Sequence, residues 1–359
     1  MKRVGIMTLH IGDNYGALLQ CYALRKCINS LQGYQAEIID YDPGREFPVY
    51  DDPEVQEKYL WKLSKFRDFN RIYNGISGDS FTDISDNQAQ GYDYYITGSD
   101  QVWNTSFVFS KEAYFLNFVP DNVKKISYAA SIGISPNSPK LKREWFERNI
   151  PRFDSISVRE ASHVEFVKSY TQKEVCAVVD PTLLLTKEDY DELCEGVSYP
   201  DGDYVVLYFL KHDNTAPLLI EFTNMLSRKY NLKVIYSFAD VNERVFKNES
   251  ETFYYSDPRE FVGLIKHARA VVTNSFHGTV FSLKYHIPFF TYLVGSMSSR
   301  VVDLLQEVGL ENQIVYGYKK IAEDMLDVDF SMADKVLQSK REYSLAFIEE
   351  ALEVKRDVE

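Results

Sequence analysis

Cysteine is scarce in this chain: of 359 residues only Cys21, Cys27, Cys176 and Cys194 are thiols. None forms a C-x-x-C pair or stands beside paired histidines, which excludes a zinc ribbon or finger and a disulfide-built fold. They read as reduced thiols of core or surface. Long apolar runs are missing too. The longest, YVVLYFL at 204–210, falls well short of the roughly 20 residues that a membrane-crossing helix needs. The opening MKRVGIMTLH is basic but has no apolar h-region and no small-residue cleavage site, so it reads as the first buried strand of a cytoplasmic protein. Positive charge is in deficit, with 40 Lys and Arg against 53 Asp and Glu and a formal charge of -13. That disfavours nonspecific binding to nucleic acid, which depends on neutralising phosphates. An anionic ligand therefore requires a local basic pocket. Signature motifs are absent as well: no Walker loop, no G-x-G-x-x-G after a strand, no G-x-S-x-G elbow, and no H-E-x-x-H among the six histidines. ATP and NAD enzymes, serine hydrolases and zinc hydrolases lose their support. No clustered ligands suit zinc or magnesium, so no metal is expected.

What is present is alternation. At 45% apolar residues the chain is globular, and its length suits two domains with a cleft between them. Strand RVGIMTL (3–9), helix ALLQCYALRKCINSL (17–31) and strand AEIIDYD (36–42) form a unit of the kind that builds parallel sheets. Residues 43–90, rich in Asp, Tyr and Arg, read as an insertion near the cleft with one helix at 53–76. Four strands follow within YDYYITGSD, KKISYAASIG, FDSISVRE and CAVVDPTLL. A polar stretch from Thr186 to Asp203 separates the halves, giving domains of 1–186 and 187–359. The second half repeats the plan, with strands in DYVVLYFL, LKVIYSF, ARAVVTNS and IPFFTYLV and helices near 215–229, 258–267, 277–286 and 298–308. A last amphipathic helix, from Ser331 onward, is expected to pack back on the first domain.

Ligands of open parallel sheets bind beyond the carboxyl ends of the strands. Four such loops are unusual here: HIGDNYG (10–16), TGSDQVWN (97–104), SVRE (157–160) and TNSFHG (273–278). A histidine such as His277, at a helix start after a strand, combines a near-neutral acid with the anion-attracting end of a helix.

The segments NYGALLQCYAL, YDYYITGSDQVWN, SYAASIG, SVREASHVEFV, VVDPTLLL, TNSFHGTVFSL and SSRVVDLLQEVGL, in this order, make the chain resemble the polysaccharide pyruvyl transferase family. G-S-D-Q-x-W-N together with S-F-H-G is the specific part. The resemblance implies two Rossmann-like α/β domains facing across a cleft, as in GT-B glycosyltransferases, the first on the acceptor side and the second on the donor side. It also implies transfer of pyruvyl from phosphoenolpyruvate, as co-substrate and without a cofactor, onto two hydroxyls of a bacterial-type exopolysaccharide or capsule glycan or its precursor. A lipid-linked acceptor would bring such an enzyme to the inner face of the membrane, although no basic amphipathic helix is evident to hold it there. A nucleotide-sugar glycosyltransferase and an inactive glycan-binding relative share the architecture and stay open.

On this reading His277 is the general acid and Asp100 the base or orienting group. Arg159 is the donor-binding fork, with Asn274, Ser275 and Gly278 at the same anion-binding turn. Asn14, Tyr15, Gln101 and Trp103 face the acceptor, the aromatics by stacking on sugar rings. Family members often carry R-L-H where this chain has Ser275, Phe276 and His277. The missing cation is expected from Arg300, in the first turn of the helix after the next strand, because consecutive strands joined by one helix are usually neighbours.

Overall fold

The computed structural model describes residues 1–78, 80–85, 89–210, 216–238, 252–253, 256–293, 299–317 and 324–354. Two six-stranded sheets form the framework. The first contains β1 (Lys2–Met7), β2 (Tyr34–Ile38), β3 (Tyr94–Thr97), β4 (Lys124–Ala130), β5 (Ser155–Val158) and β6 (Val175–Ala177), in the order β2-β1-β3-β4-β5-β6. The second contains β7 (Tyr204–Phe209), β8 (Lys233–Phe238), β9 (Thr252–Phe253), β10 (Ala270–Thr273), β11 (Phe289–Tyr292) and β12 (Ile314–Val315), in the order β12-β11-β10-β7-β8-β9. Every ladder is parallel. Strands such as β4 and β7 are buried almost end to end, as parallel strands covered by helices on both faces must be.

The helices are α1 (Tyr15–Asn29), α2 (Pro53–Phe69), α3 (Arg143–Asn149), α4 (Val164–Lys168), α5 (Lys187–Leu193), α6 (Ala216–Tyr230), α7 (Pro258–Lys266), α8 (Phe276–Tyr285), α9 (Ser299–Glu307) and α10 (Ser331–Ala351). The helix expected at 53–76 is α2 followed by a π-helical turn, Asn70–Asn74, which Gly75 ends at a φ of 69°. The expected helix at 17–31 begins two residues earlier, because the Asn14 side chain accepts the Ala17 N–H and caps it there. Thr186 caps α5 with a reciprocal box to Asp189. The strand expected over 287–294 is β11, and the loop after it, at 294–298, lies outside the described residues.

The C-terminal helix returns to the first sheet. Tyr34 Oη donates to the Leu352 carbonyl at 2.5 Å, the Val179 N–H to Ser344 Oγ at 3.0 Å, and Arg341 Nε to the Leu184 carbonyl at 2.6 Å. In each sheet the direction of winding reverses once, between β1 and β3 and between β7 and β10. Those crevices are where open α/β sheets place their ligands.

Candidate active site

Five chemically active side chains stand at strand ends or helix starts and converge. Asp100 follows β3, Arg159 follows β5 and Asp180 follows β6, while His277 and Arg300 are each the second residue of their helices, α8 and α9. All five are buried. Arg159 Nη1 donates to Asp180 Oδ2 at 2.7 Å, and its Nη2 stands 3.6 Å from Asp100 Oδ1. Arg300 Nη1 approaches the same Asp100 oxygen from the second half, at 3.9 Å. His277 Nε2 faces Asp180 Oδ1 at 3.6 Å. Phe276 lies under both guanidiniums, whose carbons are 4.6 Å (Arg159) and 6.0 Å (Arg300) from its ring centre. Arg159, Asp180, Phe276 and Arg300 line a cavity of about 390 Å³ that α10 closes with Ser339, Lys340 and Tyr343.

Backbone and neighbours fix these groups. Asp100 has a φ of 62°, in the left-handed region that Asp tolerates better than most residues, and its carbonyl accepts the Val102 and Ser131 N–H groups. Ser99 Oγ lies 3.1 Å from Asp180 Oδ2, and the Ser99 N–H donates to Gln20 Oε1. The Asp180 side chain accepts from both the N–H and the hydroxyl of Thr182. Gly16, in the first turn of α1, meets His277 so closely that a Cβ there would lie 1.9 Å from the imidazole Nδ1. The first half thus supplies a flat seat for the histidine of the second.

The electrostatics are uneven. Burial pushes the Asp180 carboxyl up, but His277, Arg159 and Thr182 outweigh it and hold the group well below the usual carboxylate range. Glu160 is held at about 2: burial again opposes ionisation, and His163, Arg159 and Ser131 overcome it. Burial also works against the charge of Arg159, yet Glu160, Asp180 and Asp100 raise its pKa. Arg300 goes the other way, down to about 10, because burial and then the like charge of Arg159 exceed what the carboxylates return. Three buried nitrogens of the cluster, Arg159 Nη2, Arg300 Nε and His277 Nε2, make no hydrogen bond. Each such orphan costs about 1–3 kcal/mol or more when charged, so the arrangement suits a small dianion that brings oxygens to all three.

The other residues named from sequence are placed differently. The Trp103 indole is fully buried, stacked on Phe115, edged by Phe146 and Phe153, and bonded through Nε1 to the Tyr114 carbonyl. It has no open face for a sugar. Tyr15 is equally closed, stacked on Phe261 at 4.5 Å. Both acceptor assignments are therefore corrected to core packing. Ser275 Oγ accepts the Gly278 N–H as the N-cap of α8, and a Cβ on Gly278 would lie 2.6 Å from Thr273 Oγ1. Asn274 Oδ1 accepts the Leu210 N–H and ties the ends of β7 and β10 together. Gln101 accepts from Asn104 Nδ2, and Asn14 caps α1. Arg300 makes no pair with Asp303, which instead accepts from the backbone and hydroxyl of Ser162. Sequence reasoning missed Asp180, Phe276 and Gly16. Asp180 had a signal, an acid directly after a buried strand, but D-P-T also spells an ordinary helix cap, and the residue does both jobs. Among the described residues no group of three or more His, Cys, Asp or Glu is arranged to hold a metal.

Paired parallel sheets with facing switch points define the class, a GT-B-type α/β protein. Methanocaldococcus jannaschii UDP-GlcNAc 2-epimerase, in complex with UDP-GlcNAc and UDP, superposes with a TM-score of 0.53 at 13% identity, over 99% of this chain and 100% of that one. S. aureus MnaA with UDP gives 0.51 at 12% identity, over 96% and 90%. At such identity the likeness carries the fold alone. No curated protein matches the sequence. The polysaccharide pyruvyl transferase family model matches residues 14–295, and the chain belongs to that family.

Proposed function

We propose that this pyruvyl transferase takes its pyruvyl group from phosphoenolpyruvate and joins it to two hydroxyls of one sugar as a ketal, releasing phosphate. The observation that carries the reading is the set of three buried nitrogens without hydrogen bonds on Arg159, Arg300 and His277. Phosphoenolpyruvate carries carboxylate and phosphate on one small frame, and two guanidinium forks beside a cavity match them.

On this reading the residues divide the steps among them. Arg159 and Arg300 hold the anionic groups. His277 gives a proton to the methylene carbon, which becomes the methyl group and leaves positive charge on the central carbon. A sugar hydroxyl attacks that carbon while Asp100 takes its proton. The C–O bond to phosphate breaks, phosphate leaves with the proton that Asp100 took, and the second hydroxyl attacks the central carbon and closes the ketal as its proton returns to His277. Asp180, facing the imidazole, steadies its positive charge before transfer and acts as a positioning residue. One C–H bond, two C–O bonds and one phosphate O–H bond form, the π component of the C=C bond, one C–O bond and two hydroxyl O–H bonds are lost, and no oxidant or reductant is needed. The test is phosphate release from phosphoenolpyruvate with galactosyl, mannosyl and glucosyl acceptors. A product heavier by one pyruvylidene group supports the reading, and no turnover with any acceptor refutes it.

A further inference from the structure

A second cavity, of about 540 Å³, lies on the first sheet beside the insertion, within the roughly 300–1,000 Å³ range of small-molecule sites. Its floor is the loop after β1, from His10 to Gly12, with Asp40 just past β2; its wall is α2 and the π-helical turn.

The floor is built with care. His10 is buried, with Nδ1 3.1 Å from the Thr8 carbonyl and Nε2 3.0 Å from Asp40 Oδ1. Ser80 Oγ donates to that same Asp40 oxygen at 2.7 Å. Asp40 Oδ2 is buried and has no hydrogen-bond partner. A carboxylate offers about four lone-pair sites, so Asp40 keeps His10 and Ser80 on one oxygen and has lone pairs left on the other. His10 is satisfied on both sides and anchors this carboxylate rather than reacting.

The wall is also fixed in place. Asn70, in the π-helical turn, donates from Nδ2 to the His10 carbonyl at 2.9 Å, and such turns are frequent at functional sites. Tyr59 Oη donates to Asp13 at 3.2 Å, and Lys65 of α2 pairs with Glu260 of α7 at 2.8 Å, which ties α2 to the second half. Phe47 and Phe66 give the cavity apolar faces. Three carboxylates, Asp40, Asp42 and Asp68, stand against two guanidiniums, Arg67 and Arg71, and Arg71 is already paired with Asp68. Unlike the buried Arg159 and Arg300, both of these arginines are exposed to solvent, which disfavours a second phosphorylated donor. Acceptor carboxylates, amide and hydroxyl groups beside aromatic faces fit a neutral polyol.

The same loop connects floor and active site. Gly12 lines this cavity and Gly16 seats His277; four residues of chain span at most about 14 Å. We infer that this cavity is a second carbohydrate subsite, holding a neutral glycosyl unit of the acceptor next to the one that reacts. The inference rests on the pyruvyl-transfer reading, and two measurements separate their failures.

In the first, kcat/KM is compared for gluco-, galacto- and manno-oligosaccharides of one to four units at saturating phosphoenolpyruvate. The wild type is expected to gain at least about tenfold in kcat/KM from one unit to three, a difference of about 1.4 kcal/mol. Ser77→Trp, which fills the cavity from its rim, and Asp40→Asn, which keeps the shape but removes the charge, should each lose most of that ratio. In the second, binding of the same oligosaccharides to the full chain without donor is measured by calorimetry. Tighter binding of three units than of one by wild type, lost in Ser77→Trp, supports the subsite even if the reaction proves different. Equal gains in wild type and both variants, or no length dependence in either measurement, overturn it.

Discussion

Replacing Arg300 by alanine probes the least obvious part of the proposed donor site. Its guanidinium is buried and 3.9 Å from Asp100, with Nε unbonded. Burial and the neighbouring Arg159 pull its pKa down to about 10, so without ligand it is held against repulsion. A bound dianion reverses that balance. Losing one charged hydrogen bond of about 1.5–3 kcal/mol lowers kcat/KM for phosphoenolpyruvate by about 10- to 150-fold. The KM for the glycan should hardly move. Lysine in its place should recover only part, because an ammonium cannot reproduce the fork. Steady-state kinetics with each substrate varied in turn decides this, alongside thermal melting with phosphoenolpyruvate: at 100 times the Kd the ligand adds about 2.7 kcal/mol to wild-type stability, and the shift should shrink in Arg300→Ala. An unchanged kcat/KM for phosphoenolpyruvate, or a defect confined to the acceptor, would refute the assignment.

Other outcomes follow from the same geometry. His277→Asn should lower kcat by at least about a hundredfold, as for a positioned acid, with little change in Tm; turnover within threefold of wild type ends its catalytic role. Gly16→Ala puts a methyl group 1.9 Å from the His277 ring and should cost about 1–3 kcal/mol in overpacking and about a hundredfold in kcat by displacing the imidazole; full activity would mean the seat is not needed. Glu160 is depressed from 4.5 to about 2, so its contribution, on the order of 3 kcal/mol, is complete above about pH 4.5 and disappears as pH falls toward 2. Chemical unfolding followed between pH 6 and 2.5 should therefore show a shallower acid loss for Glu160→Gln than for wild type, and parallel curves contradict the assignment.

The sequence exposed those features that depend on local pattern. All six strands of the first sheet are long enough, or sit close enough to a recognisable segment, to be read from their apolar runs. In the second sheet the edge strands β9 and β12 are two residues each, too short for any periodicity, and they exist only because β8 and β11 pair with them. The same holds for α3, α4 and α5, of five to seven residues, which depend on packing more than on propensity. At the site, loops after strands marked Asp100, Arg159 and His277 because polar residues break a buried run there. Trp103 lies in the same loop as Asp100 and Tyr15 opens α1 after the first strand, and sequence could not distinguish an aromatic turned inward from one left open for a sugar. Asp180 was hidden by its second role as a cap. Phe276 and Gly16 act only through partners distant in sequence, Arg159 and Arg300 for the first and His277 for the second.

On the proposed mechanism this cluster protonates the methylene carbon of phosphoenolpyruvate and transfers the resulting pyruvyl group to a glycan. Running the reaction in deuterium oxide and weighing the product tests it most directly. The account predicts a ketal whose new methyl group carries one deuterium from solvent, formed by wild type and suppressed in His277→Asn. A ketal without deuterium, or phosphate released with no ketal on any acceptor, would contradict it.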